Sequence, residues 1–555
     1  MEIFKIVLGM KDHLLNYQNN RLYLKIMRVP KYSKTSPSYG IPRKEFIKYM
    51  AMVSAIPYAP KFLEGKVNST PKFSSYPFSL GVASGDPEPD GTVIWTRLAP
   101  DPLGLSGLDP EPILVSWEVS HDEAFTKVVK KGKTLATPQL GHSVHVELNG
   151  LDPHRWYFFR FHSGAETSPV GRTRTAPEIN DLPEKMKFAF TSCQHLESGF
   201  FNGYPHMQKE DLDLVIHLGD YIYEYAGIDK RVRKHIGKEI ESLDEYRQRY
   251  SQYRLDEDLQ ETHRLFPWLV TWDDHEFDNN YANLVSEQEG ISPESFLARR
   301  MNAYQAYYEF MPLRKRSFPQ GPDMKLYRKC RYGRLANFFV LDTRQYRTDQ
   351  PNGDRQKPMI GKVFDPNATM LGREQENWLM SGMLQSGATW NVLAQQVMMA
   401  ALNRGDEKGE RYSMDQWPGY EISRRRLLRF FYERKIPNPV VLTGDIHLNW
   451  VNNLQLDFKD PKSPLVGTEW VGTSMSSSGN GGNFIPEYER AAKQNDFVKW
   501  YNSNRGYVSC ELTKDNWKTF FQATPYVTKK GSPIETKAVF MIEEGKPGAK
   551  LVSKS

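Results

Sequence analysis

Cysteine is scarce in this chain. Three residues, Cys193, Cys330 and Cys510, in a length of 555 exclude a disulfide framework. If Cys193 binds a metal, the other two either pair in an oxidising compartment or stay as buried free thiols. No hydrophobic run approaches membrane-spanning length, so no transmembrane segment is expected. Walker loops, a GxGxxG after a strand and zinc-finger spacing are missing too, which removes the usual nucleotide and zinc-module readings. Charge of one sign is also lacking. The 73 basic and 67 acidic residues leave a net +6, too dilute over this length to indicate nucleic-acid recognition.

What is present points to more than one domain. The length exceeds an ordinary single domain, and 39% hydrophobic with 13% aromatic residues suffices to fill sizeable cores. Residues 1–75 read as signal and linker. Arg43 and Lys44 followed by Phe46, then Tyr49 to Ile56, resemble a degenerate twin-arginine export signal with lysine in place of the second arginine. Residues 76–178 carry short strands with turns between them: Gly91 to Arg97, Ile113 to Val119, His142 to Leu148 and Leu151 to Phe161. That spacing predicts an all-β sandwich, and the turn before Trp156 and Tyr157 resembles the tyrosine corner of fibronectin type III domains. From Lys187 onward the pattern changes. Strands at Phe188, Leu214, Leu269, Phe338, Val392 and Val441 lack polar alternation, which predicts burial on both faces. Helical stretches lie between them, over Leu243 to Tyr253, Phe296 to Phe310, Arg373 to Leu384 and Ser423 to Tyr432. Residues 185–545 are therefore expected to form a layered α/β domain. The stretch after about Gly531 gives no readable pattern.

The chemistry sits where those strands end. One hydrophobic run leads into Cys193, a second into Asp220, a third into Asp274 and His275, and a fourth into Asp445 and His447. Ligands of open α/β sheets lie beyond the carboxyl ends of the strands, so these runs predict one metal site along one sheet edge. Asp220 and Tyr223 stand three apart, letting a carboxylate and a phenol converge. Thiolate and phenolate favour Fe(III) over Mg or Ca. Asp274 and Asp445 are hard oxygen ligands suited to a second ion such as Ca, Mn or Mg. Asn280 offers an amide oxygen to that ion or to a third, and His447 an imidazole. Taken singly, an Asp after a strand is more often a helix cap, and a Cys or Tyr there is more often packing. Arg344 is a candidate phosphate clamp because guanidinium matches phosphate oxygens; a salt bridge with Asp342 or another acid is the alternative. Gln395 and Gln396 read as polar groups behind the ligands. Ser474 to Gly482 reads as pocket lining or a surface loop.

The motifs resemble a known family. Gly219-Asp220-x-x-Tyr223 matches the GDxxY motif of purple acid phosphatases and their relatives. Asp274-His275-Glu276 stands where calcineurin-like metallophosphatases carry Asn-His-Glu, and Gly444-Asp445-Ile446-His447 where they carry Gly-His-x-His. Those departures, with Cys193 and the segments Phe78 to Pro87 and Leu341 to Arg347, resemble the PhoD-like alkaline phosphatase family over Phe78 to about Val508. The resemblance implies Fe(III) on Cys193, Asp220, Tyr223 and His447, and Ca on Asp220, Asp274 and Asp445. The division of Asp445 and His447 between the two ions stays open. Together with the export-like stretch it leads to the expectation of an exported phosphohydrolase, periplasmic or secreted, cleaving phosphomonoesters and phosphodiesters at neutral to alkaline pH by metal-activated hydroxide attack; a monomer is expected. His275 is then the general acid for the leaving group, or a group hydrogen-bonded to a ligand. The rival functions are a purple-acid-type phosphatase with an acidic optimum and a non-catalytic, metal-bound surface protein.

Overall fold

The computed structural model describes residues 67–555 apart from Leu105 and Asn483. The export-like stretch from Arg43 to Ile56 lies outside the described residues. Two large mixed sheets carry the fold. The first has ten strands, in the order Lys546–Lys554, Glu535–Glu543, Asn516–Thr524, Arg505–Leu512, Met186–Thr191, Leu214–His217, Pro267–Val270, Val82–Glu88, Gly91–Arg97 and Ser143–Glu147. Its four strands from Met186–Thr191 to Val82–Glu88 run parallel. The second has seven strands, in the order Arg328–Tyr332, Ala336–Val340, Trp390–Ala394, Pro439–Thr443, Leu465–Val471, Asn449–Gln455 and Val498–Asn502. There the four from Ala336–Val340 to Leu465–Val471 are parallel.

Every residue of Leu214–His217, Pro267–Val270, Ala336–Val340, Trp390–Ala394 and Pro439–Thr443 is buried. Apolar runs without alternation are what two covered faces require. Phe188, Phe190 and Ile216 of the first sheet meet Phe338, Val392, Val440 and Trp470 of the second in one core. The other face of the first sheet presents Ala189, Val215 and Trp268 to Tyr246 and Tyr250 of helix Leu243–Arg254 and to Tyr304 and Tyr307 of helix Pro293–Phe310. The other face of the second presents Phe339, Leu393 and Val441 to Leu379 of helix Gly372–Leu384 and to Leu427 and Phe431 of helix Glu421–Glu433. The first of these helices starts at a capping box: Glu245 N–H donates to the Ser242 hydroxyl at 3.3 Å, and Ser242 N–H to the Glu245 carboxylate at 2.8 Å.

The strands expected as a separate sandwich divide between two sheets. Gly91–Arg97 and Ser143–Glu147 extend the ten-stranded sheet through Val82–Glu88, which pairs in parallel with Pro267–Val270. Ile113–Ser120 and Trp156–Ser163 pair with each other and with Val128–Ala136, Glu166–Thr167 and Gly171–Arg174 in a five-stranded sheet. The two layers meet across Val82, Ile94 and Val144 on one side and Val115, Tyr157, Phe159 and Phe161 on the other. One layer of the N-terminal unit is thus continuous with the large sheet. The Tyr157 hydroxyl accepts from Asp152 N–H at 2.8 Å and donates to Asp152 O at 3.3 Å, which is the tyrosine-corner contact. The unreadable C-terminal stretch forms the two strands at one edge of the large sheet. Cys330 and Cys510 are free and buried, in strands of different sheets, so the free-thiol alternative holds. Burial pushes each thiol up to about 12.

Candidate active site

The expected residues do converge, but on the ends of two sheets rather than one edge. Cys193 follows Met186–Thr191, Asp220 follows Leu214–His217, and Asp273 and Asp274 follow Pro267–Val270, all from the ten-stranded sheet. Arg344 follows Ala336–Val340, and Asp445 and His447 follow Pro439–Thr443, from the seven-stranded sheet. The two sheets are packed face to face with these carboxyl ends tied together. Ser192 and Ser474 form a parallel bridge, and the Thr271 hydroxyl donates to Leu341 O at 3.0 Å. Gln396 spans the same seam: its amide donates to Leu341 O at 2.9 Å and to the Thr271 hydroxyl at 3.0 Å. Gln395 donates to the Thr443 hydroxyl at 2.8 Å. Both glutamines therefore bind framework.

Local backbone turns the side chains inward. Cys193, Asp220, Asn280, Asp445 and His447 all have positive φ, between 49° and 64°. Non-glycine residues in this region cost about 1–3 kcal/mol each and persist where the surroundings fix them. Gly219, at φ 110°, is required by space as well: an added Cβ would lie 2.4 Å from Asp273 N. Glu276 locks two of the turns. Its carboxylate accepts from the N–H groups of Asp220, Tyr221 and Asp273 at 3.0, 2.5 and 2.8 Å.

Three donor clusters overlap. Ligand atoms of Cys193, Asp220 and His447 lie within 4.8 Å of one another, as do those of Asp220, Asp274 and His275, and those of Asp273, Asp274 and Asp445. Asp220 and Asp274 each belong to two clusters. Tyr223 closes the first: its hydroxyl donates to Asp220 Oδ2 at 2.8 Å and lies 3.3 Å from His447 Nε2. The Ser474 to Gly482 loop lines this end. Ser477 Oγ is 2.7 Å from the Tyr223 hydroxyl, and Ser478 Oγ is 2.8 Å from His447 Nδ1. Asn280 braces the far end, donating through its backbone to Asp274 Oδ2 at 2.7 Å and through its side chain to Asp354 Oδ2 at 2.9 Å.

His275 sits between the clusters and a separate acid. Its Nδ1 lies 2.8 Å from Glu224 Oε2, and its ring packs 4.2 Å from the ring of Tyr223. Arg344 has a different setting from a phosphate clamp. It is completely buried. Its guanidinium donates to Asp273, to Asp415 Oδ2 at 2.8 Å and to Asp445 Oδ1 at 3.3 Å, and lies 3.6 Å from Asp274 Oδ1. This is the ion-pair alternative, made with those four acids; Arg344 donates to Asp342 through its backbone N–H and not through its guanidinium.

The charges are out of balance for a protein interior. Burial, with Asp274 and Glu276 nearby, holds the Asp220 carboxyl well above the usual range. Burial also raises Asp273 well above it, Asp445 to about 6 and Glu276 to about 7. The Cys193 thiol is pushed up by burial and then by Asp220. Burial works against protonation of His275, yet Glu224 and Asp274 raise it well above an ordinary imidazole. Two buried carboxylate oxygens, Asp220 Oδ1 and Asp273 Oδ2, have no hydrogen-bond partner. A thiol, a phenol and several carboxylates that resist ionisation, with unpartnered oxygens among them, fit cations.

Family models decide the affiliation. The PhoD-like phosphatase model matches residues 188–521, and the model of the PhoD-like phosphatase N-terminal domain matches residues 65–177. The chain belongs to the PhoD-like phosphatase family. Alkaline phosphatase D of Bacillus subtilis (strain 168) is 50% identical over 493 residues, covering 88% of this chain and 84% of that one. A solved structure titled "Structure of PhoD" superposes with a TM-score of 0.86 at 50% identity, covering 88% of this chain and 94% of the other. Sequence reasoning gave no role to Asp273, Glu224, Glu276 or Asp415, which the structure places at these clusters.

Proposed function

We propose that this phosphoric ester hydrolase depends on metal ions held by Cys193, Asp220, Tyr223, Asp274, Asn280, Asp445 and His447. Fe(III) is assigned to the thiolate and phenolate end, and Ca, with Mn or Mg as substitutes, to the carboxylate end. The observation that carries this reading is the sharing of Asp220 and Asp274 between overlapping donor clusters. The same grouping supports giving His447 to the iron with Cys193, and Asp445 to the second ion with Asp274. When bound, such ions neutralise charge on phosphoryl oxygens and acidify a water molecule.

The protein's own groups do the rest. Asp220, which belongs to two of the clusters, would offer a carboxylate to both ions. The Tyr223 hydroxyl donates to Asp220, so its oxygen faces the same carboxylate. Glu224 holds His275 Nδ1, which leaves Nε2 as the nitrogen that hands a proton to the departing alkoxide. The substrates are phosphomonoesters and phosphodiesters, at neutral to alkaline pH. The broader proposal is an exported monomer, periplasmic or secreted. Its residues 1–75 serve as signal and linker, 76–178 as the β-sandwich unit and 185–545 as the layered α/β metallophosphatase domain. The Arg43, Lys44 and Phe46 pattern supports export, and among the described residues no helix is long and apolar enough to cross a membrane.

Chelation tests the function. Full-length protein is expected to hydrolyse both a mono- and a diester. It should lose nearly all of both activities after exhaustive chelation and regain them when iron and calcium are restored. A chelated protein, metal-free by elemental analysis and still at full rate, overturns metal dependence.

A further inference from the structure

Arg344 lies among the acids of the carboxylate end. Its guanidinium reaches Asp273, Asp445 and Asp274, the three acids whose ligand atoms lie within 4.8 Å of one another. A fourth acid, Asp415, completes the fork at 2.8 Å. Like charges at this spacing in a buried site repel strongly, and removing the guanidinium that Asp273, Asp274 and Asp445 share leaves that repulsion less opposed. The cation is also fixed in place. The Arg344 N–H donates to Asp342 Oδ1 at 3.0 Å, and its carbonyl accepts from Asn283 N–H at 3.0 Å. Asp415 is itself held from behind, by Arg347 at 2.6 Å and Gln350 at 2.9 Å. A guanidinium with every edge so engaged, on a fully buried side chain, has no face left for substrate.

We propose that Arg344 is a positioning residue, a resident counter-cation that keeps Asp273, Asp274 and Asp445 converged before any metal is bound. The planar fork suits the task, because it meets several carboxylates at once in fixed directions. A divalent cation then enters acids that are already gathered. The proposal rests on the metal-dependent reading given above.

The test compares thermal midpoints of the full-length protein, chelated and then with calcium alone added. Chelated Arg344→Met is expected to melt about 5 °C or more below the chelated parent. Calcium should raise the midpoint of Arg344→Met more than that of the parent, because a cation relieves repulsion present only in the variant. Adding Asp273→Asn to Arg344→Met should recover part of the loss without calcium, since it removes one of the crowded acids, and Asp273 has no ion pair besides Arg344 among the described residues. Arg344→Lys, which keeps the charge, should lose less than half as much as Arg344→Met. An unchanged midpoint in chelated Arg344→Met overturns the proposal. So does a lysine variant as damaged as the methionine one, or an Asp273→Asn change that rescues nothing. If Arg344→Met yields no soluble protein, the lysine variant and the double variant decide the matter in the same terms. Failure of the metal reading looks different: calcium then shifts no protein, while the charge rescue in chelated samples still reports on Arg344.

Discussion

Asp220→Asn is expected to lower phosphomonoester turnover by about 10³-fold or more, while the chelated protein melts no lower than the parent. Metal ions supply several kcal/mol of transition-state stabilisation, and each 1.4 kcal/mol is about tenfold in rate. Asp220 belongs to two of the donor clusters, so its loss weakens both ion positions together. The amide keeps the shape and can still accept from the Tyr223 hydroxyl. What it removes is a buried carboxyl that burial holds well above the usual range, so that it resists ionisation without metal. A neutral amide in its place therefore costs the apo fold little. Functional sites commonly sacrifice stability in this way. Turnover, metal content and the chelated melting midpoint, measured on one preparation, check the prediction. Full turnover with both metals retained would remove Asp220 from the site.

His275→Ala should divide substrates by leaving group. A loss of about 10²–10⁴-fold is expected on an alkyl phosphate, and a clearly smaller one on a nitrophenyl phosphate. An alkoxide needs a proton as it departs; a nitrophenolate hardly does. The geometry suits a donor, since Glu224 takes Nδ1 at 2.8 Å and Nε2 is left for the substrate side. Glu224 and Asp274 also favour the protonated ring against the effect of burial. Bound cations act in the opposite sense, lowering the affinity of His275 for its proton and making it a readier acid. Equal losses on the two substrates with metals retained would assign His275 to phosphate positioning. Loss of metal would assign it to holding a ligand.

The strand-end pattern was legible because buried parallel strands leave no polar residue except where they stop. Cys193, Asp220, Asp274, Asp445 and His447 could all be found that way. Their distribution over two sheets could not, since strand runs show no partner and the parallel strands of both sheets read alike. Asp273 was hidden by its neighbour. In a regular strand adjacent side chains face opposite sides, so only one of Asp273 and Asp274 is expected to point inward. Both lie beyond Val270, where the strand has ended, and both turn in. Glu276 was read only as part of a motif, yet its carboxylate gathers three backbone N–H groups. Asp415 stands in irregular chain between Tyr412–Ser413 and Trp417–Tyr420, where no periodicity marks it. Arg344 was found, but its role depends on four acids distant in sequence. Four of the N-terminal strands were recognised as strands; Val82–Glu88, Val128–Ala136 and Gly171–Arg174 were not. That Val82–Glu88 joins Gly91–Arg97 to the large sheet rests on its pairing with Pro267–Val270, far along the chain.

Iron and calcium per chain, measured in the purified parent and in Cys193→Ser, test the metal site most directly. The parent should carry both metals and show a visible tyrosinate-to-iron absorption that Tyr223→Phe abolishes. Cys193→Ser should lose iron and activity in parallel, because a neutral hydroxyl replaces the thiolate at the iron position. Full iron occupancy with full turnover in Cys193→Ser, or an iron-free, colourless parent at full activity, would contradict the assignment.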